Sequence, residues 1–97
     1  MARKPLKITE VIRICGVDEN FVLRLEREQM IAPVVRQKHK VYPPEQVERI
    51  RVARLLIEDM GVNLEGAEVA LHMREQMIAM QRQFAALLRR LSEELKK

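Results

Sequence analysis

Residues 34–44 read VVRQKHKVYPP, and this stretch decides how the chain is assembled. Two valines lead in and Val41-Tyr42 leads out, so short β-type runs flank Arg36, Lys38, His39 and Lys40. Pro43-Pro44 then ends the extended chain and suits a helix start, because the first helical turn has no use for an N–H. No acid falls between Val34 and Pro44. The tip of such a hairpin is a candidate contact surface for an anion, against the plainer reading of a solvated loop. The connecting Arg-Gln-Lys-His-Lys contains neither Gly nor Asn-Gly, so the turn is weakly encoded.

Upstream, Thr9 is a candidate cap for a short helix over 10–15, and Gly16 turns the chain. Asp18 is a second cap, its charge suited to the start of a helix over about 19–28. A helix of two turns, a bend and a second helix is the length pattern of a helix-turn-helix. On the second helix Val22 and Leu25, with Phe21 beside them, form the inward face. Asn20, Arg24 and Arg27 fall at i, i+4 and i+7 on the opposite side. Arg reaches guanine O6/N7 or phosphate, and Asn reads adenine bidentately. The competing reading is a solvated face with an Arg24–Glu28 ion pair of about 0.3 kcal/mol. The hairpin tips the balance. A helix-turn-helix followed by a charged hairpin has the form of a winged helix, whose tip rests on phosphates and sets register without reading bases.

Downstream, Val47, Ile50, Ala53, Ile57 and Met60 keep helical spacing, and Gly61 stops that helix. Asn63 caps a last helix of roughly 30 residues, about 45 Å long at 1.5 Å per residue. Gly66, in its first turn, costs little there. Ala70, Met73, Met77, Met80, Phe84, Leu87 and Leu91 alternate steps of three and four along it. A one-sided seam of this kind wants a partner helix. Folding the seam back on the chain's own core is the alternative, and the helix is long for that. The chain therefore divides into a flexible basic arm over 1–7, a winged helix-turn-helix domain over 8–63 and a dimerisation helix over 64–97. The expected fold class is mainly α, with a short β-hairpin wing and a long C-terminal coiled-coil helix.

Composition sets the limits. Of 97 residues, 47% are hydrophobic, 33% charged and only 3% aromatic, which is a folded composition with an aliphatic core. So small a domain buries a modest fraction of its surface and gains from oligomerisation. The net charge of +4 permits nucleic acid as a partner without requiring it. Cys15 stands alone, which excludes an intramolecular disulfide and a zinc site built from several cysteines. A buried structural thiol is favoured over a reactive one. His39 and His72 have no nucleophile or carboxylate at a useful spacing, and the three glycines form no phosphate loop. No catalytic residue, metal site or cofactor is expected, and the chain is not read as an enzyme. No apolar run approaches the roughly 18 residues of a membrane span, and no secretory pattern opens the chain, so a cytoplasmic protein is expected.

The stretches ITEVIRICGVDENFVLRLEREQMIAP and KVYPPEQVERIRVARLLIEDMGVNLEGAEVAL, with the long helix after them, resemble the MerR superfamily of winged-helix regulators. GVNLEG is similar to the heat-shock repressor branch, HspR, and the layout is equally similar to CbpM, the chaperone modulator of the same fold. The chain has Leu23 where the family's recognition helix carries Arg, and Lys40-Val41-Tyr42 where its wing carries Arg-Arg-Tyr. The resemblance implies a homodimer paired through the last helix (Met73, Met77, Met80, Phe84, Leu87, Leu91) and bound to double-stranded DNA. With the residue reading, the expected DNA contacts are Asn20, Arg24, Arg27, Arg36, Lys38, His39, Lys40 and Tyr42. The CbpM branch implies a different partner, the J-domain of a DnaJ-like co-chaperone. J-domains present a basic helix, which an acidic surface beginning at Glu10, Asp18 and Glu19 would meet. The cationic wing ranks DNA first.

Overall fold

In the computed structural model, which describes residues 4–96, the order is α1 (Ile8–Cys15), α2 (Glu19–Arg27), β1 (Val34–Arg36), β2 (His39–Val41), α3 (Pro44–Arg54) and α4 (Leu64–Leu95). A π-helical turn, Leu55–Asp59, extends α3. This is the winged helix-turn-helix with a long terminal helix that the sequence predicts. Met1, Ala2, Arg3 and Lys97, part of the expected arm and of the last helix, lie outside the described residues.

The start of α1 differs from expectation. Thr9 is not its cap; it sits exposed inside the helix, which begins at Ile8. The reason is Glu10, whose carboxylate reaches back to accept the Lys7 N–H at 3.1 Å. Gly16 ends α1 at φ 69°, and the N–H groups of Gly16 and Val17 both fall on the Ile12 carbonyl. Asp18 caps α2 as predicted, accepting from the Phe21 N–H at 2.8 Å. The end of α2 is a Schellman turn: Met30 donates to the Leu25 carbonyl and Gln29 to that of Glu26, with Gln29 left-handed at φ 60°. The Met30 and Leu25 side chains are both buried beneath it.

The hairpin pairs Val34 with Val41, Val35 with Lys40 and Arg36 with His39. That register leaves a two-residue loop, Gln37-Lys38, at φ 51° and 66°. This is the primed turn that fits strand twist, made without the glycine or asparagine that usually signals it. Beyond β2, Tyr42 and Leu6 exchange two backbone hydrogen bonds, at 2.7 and 2.9 Å. The expected free arm is thus pinned to the hairpin at Leu6.

One core is shared by all the helices. Val11 and Cys15 of α1, Val22 and Leu25 of α2, Val47, Ile50 and Ala53 of α3, and Ala67 and Leu71 of α4 are buried around Tyr42, Met30 and Ile31. Cys15 is the buried thiol expected, and burial pushes its pKa up. Met60 departs from the predicted face: it is 63% exposed. The π turn, closed by Met60 N–H on the Leu55 carbonyl, inserts an extra residue and swings the next positions off the core stripe. Asn63 caps α4 by accepting the Gly66 N–H at 2.7 Å. Gly66 does more than fill space, since a Cβ there would lie 2.9 Å from Val62 Cγ1 and 3.0 Å from the capping oxygen.

α4 has 32 residues, about 48 Å at 1.5 Å per residue. Its core contacts end near its second turn. From Met73 onward the seam faces outward, with Met73 56%, Met80 67% and Phe84 62% exposed, and Met77, Leu87 and Leu91 alike. The seam does not fold back on its own domain.

Candidate nucleic-acid interface

α2 is set by its apolar face, because Val22 and Leu25 can be buried only if the opposite face looks outward. That places Asn20, Arg24 and Arg27 in solvent together. Arg36, Lys38 and His39 are likewise exposed on the hairpin. Among the described residues, none of these six has a side-chain hydrogen bond or ion pair within the chain. The competing Arg24–Glu28 pair is therefore not formed, and these donors are free for a partner.

Lys40 and Tyr42 are placed otherwise. Lys40 Nζ lies 2.6 Å from Glu26 Oε1, so this cation is half-exposed but already engaged. Tyr42 is a correction: at 0% exposure its ring belongs to the core and is no surface contact. Its hydroxyl donates to Glu26 Oε2 at 3.3 Å. Burial, and then the Glu26 carboxylate, push the Tyr42 pKa up to about 12. Glu26 was not among the residues expected to matter. A signal existed, since Lys40 and Tyr42 stand two apart and so share one face of the strand. An ammonium and a buried phenol side by side call for an acceptor, and α2 is the helix that leads into the hairpin.

The link from α2 to the wing is anchored by α3. Arg49 Nε donates to the Met30 carbonyl at 2.6 Å, and the Ala32 N–H donates to Gln46 Oε1 at 2.9 Å. Arg49 also pairs with Glu75, and Glu48 with Arg74 at 3.4 Å, which ties α3 to α4. The helix-turn-helix, the wing and the root of the long helix are thereby joined through polar contacts as well as the core.

The acidic residues do not converge in the same way. Asp18 and Glu19 are exposed together at the start of α2. Glu10 is turned to its own helix start, its Oε1 on Lys7. A hollow of about 260 Å³ opens beside Leu6, Ile14 and Val47, with Lys4, Glu48 and Arg51 at its rim. It contains no nucleophile–base pair. Among the described residues no group of three or more His, Cys, Asp and Glu could hold a metal ion, and no helix is long and apolar enough to cross a membrane.

A cationic helix face with a charged hairpin beside it defines a winged helix-turn-helix protein. The family model described as "MerR HTH family regulatory protein" matches residues 6–90, and the chain belongs to that family. The function class that goes with it is DNA-binding transcription regulation. No curated protein matches the chain significantly.

Proposed function

We propose that the chain is a dimeric DNA-binding transcription regulator, with α2 in the major groove and the hairpin on the adjacent phosphates. The observation that carries this reading is the set of unpaired donors, Asn20, Arg24 and Arg27, on the outer face of a helix that has the wing tied beside it. Arg24 and Asn20 are the base-reading candidates; Arg36, Lys38 and His39 are the phosphate contacts. Lys40 serves the fold first. The outward seam from Met73 to Leu91 supports a homodimer through α4, whose two-fold symmetry implies a palindromic operator with half-sites spaced by multiples of about 34 Å. The GVNLEG turn resembles HspR, so chaperone genes are the expected targets. Replacing both Arg24 and Lys38 by Ala should abolish retention of the DNA upstream of the chain's own gene in a gel shift. Undiminished retention removes the reading.

A second reading has its own support. Asp18 and Glu19 put two exposed carboxylates at the leading end of α2, where phosphates would be repelled, and Leu23 replaces the family's Arg. This favours a CbpM-type module that binds the basic helix of a J-domain. Charge reversal at Asp18 and Glu19 separates the two. It should abolish capture of a J-domain protein under the second reading; reversal at Glu19 with Asp18→Asn, which keeps a capping oxygen for Phe21, should leave DNA binding intact or tighter under the first.

A further inference from the structure

Glu26 is an acid in the last turn of α2, between the exposed cations Arg24 and Arg27. Simple charge counting marks it as a fault, because a carboxylate close to Arg24 and Arg27 weakens attraction to a polyanion. Its geometry gives it a different task. One oxygen holds Lys40 Nζ at 2.6 Å and the other accepts from the Tyr42 hydroxyl at 3.3 Å. Among the described residues, no other side-chain hydrogen bond or ion pair joins the hairpin to α2. At its far side the hairpin runs straight into the Leu6–Tyr42 backbone bridge, so its root is held from both sides. The three-residue strands are too short to keep an angle to α2 by themselves.

We infer that Glu26 is the positioning residue of the interface: its carboxylate clamps the wing to α2, so that the helix face and the hairpin tip meet one partner in one register. The clamp trades one unit of favourable charge for preorganisation. A wing held in place before binding gives up less conformational freedom on binding than a free one. The consequence for DNA rests on the proposed function; the clamp itself does not.

The test is Glu26→Gln, an isosteric change on a surface helix, with Lys40→Gln as the companion that removes the other partner. Bare electrostatics predicts tighter DNA binding for Glu26→Gln. The clamp predicts the opposite for specific DNA: a loss of about tenfold in the ratio of affinity for the chain's own upstream DNA over scrambled DNA of equal length, from the lost preorganisation. Two readouts need no DNA. Amide hydrogen exchange at residues 39–41 should quicken about fivefold or more in either variant, with little further change in the double variant, because both remove one link. Tyr42 is the chain's one tyrosine and there is no Trp, so its alkaline absorbance titration is uncluttered. The midpoint should fall from about 12 toward 10 in Glu26→Gln without reaching it, since burial remains. An unchanged midpoint with unchanged exchange overturns the clamp. Faster exchange with an undiminished specificity ratio overturns the positioning role. Should the unaltered protein bind no DNA, the functional reading falls, and exchange and titration still decide whether the clamp exists.

Discussion

Tyr42 shows how a surface motif can be read correctly in identity and wrongly in place. The aromatic ending of the wing looks like a contact residue, yet Tyr42 lies at the hairpin's root, bridged to Leu6 and buried in the core, while Arg36, Lys38 and His39 stay out at the tip. Its chemistry gives a pH signature. The raised pKa means that the folded state holds the phenol proton more tightly than the unfolded chain, whose value is near 10. The stabilisation is complete below about pH 10 and is lost as pH rises toward about 12. Denaturant unfolding at pH 9 and pH 11.5 should therefore show a smaller loss of stability for Tyr42→Phe than for the unaltered chain; equal losses would contradict the burial and the Glu26 contact. The caps at Asp18 and Asn63 were legible because a short acceptor before an apolar run has few other uses. Thr9 misled for a comparable reason: a good cap residue yields when an acid three positions after the true start, Glu10, can reach back instead.

At the scale of the element, the hairpin was legible from its β-type flanks and its prolines, but its turn was not. Gln37 and Lys38 both sit at positive φ, which costs an ordinary side chain about 1 kcal/mol or more per residue. A primed turn made from such residues is visible only once the register is known. Lys38 therefore occupies a strained site where glycine would fit better, a cost that the proposed phosphate contact would explain. Replacing Gln37-Lys38 by Asn-Gly should raise stability by about 1 kcal/mol in chemical denaturation. The same change should weaken DNA binding and lower its salt slope by about one, for the lost phosphate contact. A variant that is no more stable, or that binds as before, would contradict the turn geometry or the role of Lys38. The π turn after α3 was hidden too, because its residues still alternate plausibly as an α-helix; only Met60, exposed where the pattern puts it inside, betrays the extra residue.

The whole molecule is a small domain with a long rod attached, 56 by 35 by 20 Å. The rod's seam was legible as a one-sided stripe, since seven residues at steps of three and four mark one face, and its exposure is what decides against folding back on the chain's own core. What the seam meets is not written in one copy of the chain, because a partner surface would contribute the other half of every contact. If two copies pair there, Met80→Glu with Phe84→Glu buries like charges in the interface and should halve the mass in sedimentation while leaving helicity nearly unchanged. A mass that does not change would place the partner surface elsewhere. A monomer carries half the donors of a dimer, so this variant should also lose most of its affinity for a two-half-site operator.

The proposed function has α2 and the wing together present their free cations to DNA phosphates and bases. It is tested most directly by titrating the DNA upstream of the chain's own gene at 50 and 200 mM salt. If a dimer neutralises about six to eight phosphates, affinity should fall by about 10³-fold or more across that range, and Arg24→Ala with Lys38→Ala should flatten the slope. Binding that is absent, or that ignores both salt and these substitutions, would contradict it.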